Sequence, residues 1–159
     1  MKRVLSLLLI LCLALTWAGC SREEEILPRF YYLRTGDSIR YGTADGLVAS
    51  VEVESMESAD DLDLLLQQYL QRPIPENFRS PFPKGTYLLS TIAREDMLVI
   101  VLSREFSGLD GIRLTLAGAC LTATCHELAG YTRIQVRSGE YVYEFDYNDY
   151  IFLDDSAGE

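Results

Sequence analysis

The sequence predicts an α+β fold: a sandwich with a mixed sheet and two helices on one face, in the order β-β-α-β-β-α-β-β. Two segments, 62–70 and about 110–128, place apolar residues at helical spacing. Six shorter segments are rich in aromatic and β-branched residues or alternate apolar with polar. Helices and strands are interleaved, but two hairpins interrupt the crossovers, which separates this pattern from a purely parallel α/β sheet. With 159 residues, 48% of them hydrophobic and 24% charged, the chain matches a single globular domain and excludes collagen-like, coiled-coil and disordered classes.

The chain starts with Lys2 and Arg3, then an apolar run over 4–15, then small residues. That is the layout of a secretory signal, and the run falls short of the ~20 apolar residues that cross a bilayer. Trp17-Ala18-Gly19-Cys20 resembles a bacterial lipobox, with Trp17 where leucine is usual. The resemblance implies cleavage before Cys20 and a diacylglycerol thioether on its thiol, a lipid anchor for the exported protein. A cleaved signal followed by a free Cys20 is the second reading. The expected organisation is a signal peptide at 1–19, a lipidated tether at 20–28 containing Glu23, Glu24 and Glu25, a domain at 29–147 and an acidic tail at 148–159. No repeat of 20–50 residues is visible, which argues against a solenoid.

Within the domain, Phe30-Tyr31-Tyr32-Leu33 reads as a strand. Residues 47–54 alternate apolar with polar and pair with it through a turn around Gly42 and Gly46. Ser58-Ala59-Asp60-Asp61 offers an N-cap with acids in the first turn. Leu62, Leu65, Leu66, Tyr69 and Leu70 form the stripe of the first helix, which Pro73 and Pro75 end. Residues 73–83 carry four prolines and read as a stiff surface loop. Strands follow at 87–92 and 97–102 around a turn at 93–96. The second is apolar on both faces and so belongs in the centre of the sheet. Asp110 caps the second helix, Gly130 stops it, and its buried stripe is Leu114, Ala117, Gly118, Leu121, Cys125 and Leu128. Ile134 and Val136 mark another strand, and Ser138-Gly139 turns the chain into the last, from Tyr141 to Tyr147.

These residues together are similar to a GerMN domain, the module of bacterial sporulation and spore-germination lipoproteins. The resemblance rests on Leu64-Leu65-Leu66 with Pro73, on Pro83-Lys84-Gly85-Thr86-Tyr87-Leu88-Leu89, and on Val99-Ile100-Val101-Leu102-Ser103 with Phe106. It continues through the helix around Leu114 and Leu121 to Ile134-Gln135-Val136 and Gly139. It covers about 30–139. Members often carry two copies, and this chain has room for one. Where the family helix has Gln and Thr-Leu near its middle, this one has Ala117-Gly118-Ala119-Cys120. The resemblance implies a ring-building-type fold, as in the rings of secretion machines and of the channel between mother cell and forespore. It brings no catalytic residues, and implies a lipid-anchored assembly protein with protein partners or self-association.

The residue inventory agrees with a non-enzyme. Cleavage would leave twelve basic residues against 24 acidic ones, a net charge of −12 that repels phosphate backbones and excludes nucleic acid. The sole histidine, His126, neighbours Cys125, but successive helix residues diverge by about 100° and form no catalytic pair. A place near a helix C-terminus is a sufficient structural reason for His126. Cys120, Cys125 and His126 cannot share one metal-ligand face. About 8 Å of helix between the two cysteine α-carbons also excludes an unstrained disulfide, so both thiols are expected reduced and inward-facing. Asp60-Asp61-Leu62-Asp63 lacks the glycine and the twelfth-position glutamate of a calcium loop. No cofactor or metal is expected. The candidate interaction surface is Tyr141, Tyr143, Phe145 and Tyr147, all odd-numbered and so on one strand face, opposite Glu144 and Asp146. That face either packs on the core or stacks on a partner: a neighbour's strand, or peptidoglycan glycan chains, with Tyr150 and Phe152 extending it.

Overall fold

The first strand, β1 (Arg29–Arg34), runs antiparallel to β2 (Val48–Glu52), with Phe30 opposite Val51 and Tyr32 opposite Ala49. This computed structural model describes residues 27–36, 46–53 and 61–150. The signal segment, Cys20, the tether through residue 26, the turn at Gly42, Ser58 and the tail from 151, with Phe152, lie outside the described residues. Alternation puts Phe30 and Tyr32 on one face of β1, where both are fully buried. Helix α1 (Leu62–Gln71) opens on Asp61, whose carboxylate accepts the backbone N–H groups of Asp63 at 3.1 Å and Leu64 at 3.2 Å. Leu65, Leu66 and Tyr69 are its buried residues, and extended backbone at Arg72 before Pro73 ends it.

The proline-rich loop holds an element that its sequence did not announce. Phe78 and Arg79 form β3, antiparallel to the other edge of β1. Two paired residues between prolines are too few to show a period of two. The Phe78 N–H bonds the Pro75 carbonyl at 2.9 Å, a turn that delivers β3 to its partner.

β4 (Leu88–Ala93) and β5 (Leu98–Leu102) form a hairpin with a bulge between Leu88 and Ser90. β5 lies between β4 and β6 (Arg133–Ser138), as expected for a strand apolar on both faces. Its pairing with β6 is parallel, so the link must cross over, and it does so through α2 (Gly111–Ala129). A short 3-10 turn at Arg104–Gly108, unforeseen in the sequence, buries Phe106 completely. Gly130, at φ 72°, ends α2 in the left-handed conformation that favours glycine. β7 (Tyr141–Asp146) returns antiparallel to β6, and a 3-10 turn over Tyr147–Asp149 follows.

The strands thus divide into two sheets, β2-β1-β3 and β4-β5-β6-β7, where the sequence suggested one mixed sheet; the mixed one is the second. The long helix explains the division. From Leu114 to Cys125 it carries no charged residue. All nine residues from Ala117 to Cys125 are buried, so every direction around the helix is covered, not one stripe. It packs against β1 and β2 in the first sheet and against β6 and β7 in the second. Asp110 stands at the N-cap position but makes no cap bond; its carboxylate instead meets Arg113 at 3.2 Å on the surface.

Tyr69 ties the layers together. Its ring lies 5.2 Å from those of Phe30 and Tyr32 and 5.4 Å, edge-on, from Phe82. Its hydroxyl donates to the Tyr31 carbonyl at 2.6 Å, while Tyr32 donates to the Tyr69 carbonyl at 3.1 Å. Thr124 of α2 accepts the Tyr31 N–H at 3.0 Å. Burial raises both phenol pKa values, so these hydroxyls remain donors.

Candidate functional site

β7 is a terminal strand of its sheet, and its alternation brings Tyr141, Tyr143 and Phe145 onto the face that Ser138, Val136 and Ile134 share on β6. The three rings form a row. Tyr141 and Tyr143 stack with centroids 6.2 Å apart at 6°, and Tyr143 and Phe145 at 6.5 Å and 22°. Tyr143 also meets the buried Phe106 ring edge-on at 5.8 Å. Tyr147, the fourth candidate, has left the strand: it sits in the 3-10 turn and stacks on His126 at 4.1 Å and 11°. The structure therefore splits the expected four-ring face into a row of three and a separate pair.

The row grades from core to solvent. Phe145 lies against α2 at Gly118, where an added Cβ would overlap the phenyl ring. Glycine at 118 is therefore what lets β7 close on the helix. Phe145, Tyr143 and Tyr147 are half-buried, whereas Tyr141 is 59% exposed. Tyr150 is half-buried as well.

The tempting chemistry has structural employment. Cys120 and Cys125 are fully buried along one continuous helix and are unpaired; burial alone pushes both thiols up and keeps them protonated. His126 turns its ring onto Tyr147. Asp61 caps α1 and Asp63 accepts the Thr91 hydroxyl. Among the described residues, no group of three or more His, Cys, Asp and Glu is placed to hold a metal. The polar residues of the motif segments are also structural. Pro83 O accepts both Thr86 donors, at 3.2 and 2.9 Å, and Gly85 takes φ 88°. The Ser103 hydroxyl accepts the Tyr87 N–H at 3.1 Å, and Ser138 donates to the Ser103 carbonyl at 2.7 Å while accepting the Ser107 N–H at 3.1 Å. These bonds pin the ends of β4, β5 and β6 together.

One end of β7 borders a recess of about 180 Å³, lined by Met97, Arg133, Ile134, Glu144, Phe145, Asp146 and Asp149. Arg133 is engaged with Asp96 at 2.7 Å. Sequence alternation had already set Glu144 and Asp146 on a shared face. It gave no sign that β7 would be an edge strand, which leaves one side of its backbone open along the sheet margin beside the exposed Val142 and Glu144.

No protein-family model matches the chain, and no curated protein matches it. Solved structures do. The first GerMN domain of the sporulation protein GerM from Bacillus subtilis superposes with a TM-score of 0.51 at 14% identity, over 74% of this chain and 86% of that one. The tandem GerMN domains of the same protein align with a TM-score of 0.50 at 15% identity, over 74% of this chain and 40% of the tandem. The fold is GerMN-like, an α+β domain of the class that the residue pattern pointed to.

Proposed function

We propose that the protein is a lipid-anchored, extracytoplasmic assembly and interaction component of the sporulating cell envelope, without catalytic activity. The observation that carries this reading is the GerMN-like fold, shared with a domain of a sporulation protein, on a chain whose start reads as a lipoprotein signal. The employment of its reactive side chains in packing and capping supports the non-catalytic part. Among the described residues no helix is long and apolar enough to cross a membrane; attachment is assigned to Cys20, since two or three acyl chains hold a protein stably at a bilayer.

Metabolic labelling with a fatty-acid probe tests the anchor. Wild-type protein takes up label, and Cys20→Ala does not and accumulates as an uncleaved or misprocessed form. Wild-type protein without label refutes the anchor. One observation favours the alternative of a wall-glycan module: the exposed Tyr141 ring stacked on Tyr143. Glycan platforms need several open rings, and Tyr141 is the one exposed ring of the four, the others being half-buried. Peptidoglycan sedimentation decides between the readings: retention lost on Tyr141→Ala establishes the glycan reading, and no retention dismisses it.

A further inference from the structure

Resting on the assembly role and going beyond it, we infer that the outer edge of β7 docks an extended, cationic segment of a partner protein, added as a fifth strand to the β4-β5-β6-β7 sheet. The phase of the ladder shows which groups are on offer. The Tyr147 N–H bonds the Thr132 carbonyl at 2.7 Å, continuing the register that sets Asp146 opposite Arg133. Hydrogen-bonded pairs recur every second residue in an antiparallel ladder. Tyr141, Tyr143 and Phe145 therefore bond to β6, and the N–H and C=O groups of Val142 and Glu144 point away from it. No described strand lies beyond them, and Val142 is 57% exposed.

Sheet edges are usually blunted by bulges, prolines, lysines or a covering element. The opposite edge of this sheet follows that rule: β4 is bulged at Leu88/Ser90, and Thr91 bonds Asp63 beside α1. β7 is regular and contains no proline or lysine. Its charge is one-sided instead. Glu140, Glu144, Asp146 and Asp149 lie along it or at its ends, and no ion pair among the described residues engages them. The nearby cations are otherwise directed: Arg133 to Asp96, and the Arg137 Nε to Gln135, which in turn donates to Glu144.

That charge selects the occupant. Pairing β7 with a second copy of itself would bring two such acidic rows within a Debye length of each other. A segment alternating Lys or Arg with apolar residues has the opposite charge and the right period. Its cations would follow Glu144 and the recess formed with Asp146 and Asp149, and its apolar side chains would meet the Tyr141 and Tyr143 rings on the other face.

The test uses the full-length lipidated protein in neutral detergent with a ten-residue peptide alternating lysine with valine or tyrosine. Hydrogen exchange should slow over 141–147, and affinity should fall at least tenfold from 50 to 300 mM salt. Glu140→Lys with Glu144→Lys should weaken binding at least tenfold, and Val142→Pro should abolish protection. Proline is tolerated there because the lost N–H faces away from β6. Should Val142→Pro fail to fold, a peptide N-methylated at the residues that face β7 lacks the N–H groups that would donate to the Val142 and Glu144 carbonyls, the other half of the same ladder, and must fail to bind. An acidic peptide binding equally well, an N-methylated peptide binding undiminished, or binding without protection of 141–147 overturns the proposal. Crosslinking of the anchored protein in cells separates this failure from that of the assembly role: partners retained by Val142→Pro leave the role standing and reject the edge.

Discussion

Gly118 and Phe145 meet so closely that one methyl group is decisive. A β-carbon at 118 would lie within 3.0 Å of Cδ1, Cε1 and Cγ of the Phe145 ring, so the ring or β7 has to move. Gly118→Ala is therefore expected to destabilise the protein by about 1–3 kcal/mol in urea denaturation, the usual range for overpacking. Phe145→Leu in the same chain should restore part of the loss; a neutral Gly118→Ala would show that helix and strand are farther apart. The two buried thiols allow a second test. Burial raises both pKa values above the ordinary 9.0, so below about pH 9 folded and unfolded chains are equally protonated there and stability is complete. Above that pH the unfolded chain releases protons that the folded one keeps. Stability then falls by about 1.4 kcal/mol per pH unit for each thiol until the folded thiols ionise. Cys120→Ala and Cys125→Ala should each flatten the slope between pH 9 and 10, measured by denaturation across pH, and native protein should resist alkylation at both positions until it is unfolded. A slope unchanged by either substitution contradicts burial of the neutral thiols.

At the scale of elements, Asp61 is the clearest local determinant, since its carboxylate takes two N–H groups that α1 cannot satisfy itself. Asp61→Ala should lower stability by about 1 kcal/mol, with Asn recovering most of it; thermal unfolding checks both. Caps are legible in part: the α1 cap lies in the segment that offered one, whereas Asp110, read as the α2 cap, makes no cap bond. More fully legible are α1 with its stripe and proline stop, the β4–β5 hairpin, the Gly130 stop of α2 and the β6–β7 return, because periods and turn glycines are written within a few residues. What escaped is long-range. β3 is two residues whose pairing exists only because β1 has a second edge. Nothing near residue 110 announces that α2 will be covered from two sides, although an uncharged stretch of small residues at 114–125 was consistent with it. Of the four rings read as one strand face, Tyr141, Tyr143 and Phe145 share a face of β7 and Tyr147 does not. Its division into a graded row of three and the Tyr147–His126 pair depends on where the strand ends, and the openness of its edge depends on sheet order, which no local pattern encodes.

For the whole molecule, charge sets the expected behaviour. Cleaved before Cys20 as proposed, the chain would carry −12 and repel its own copies over about 8 Å at physiological salt. The proposed lipid anchor would confine the copies to two dimensions, raise their effective concentration and offset that repulsion. On neutral vesicles, self-crosslinking of the lipidated protein is therefore expected to increase with salt, whereas docking of a cationic segment on β7 weakens with salt. The opposite signs let one titration separate the two kinds of contact. Membrane-dependent assembly is decided by crosslinking in cells entering sporulation, comparing the wild type with Cys20→Ala. The anchored protein is expected to crosslink to itself or to a second ring-type envelope protein, and the variant to lose those adducts. A protein that stays uncrosslinked with its anchor intact, and is recovered bound to wall glycan, would contradict the account.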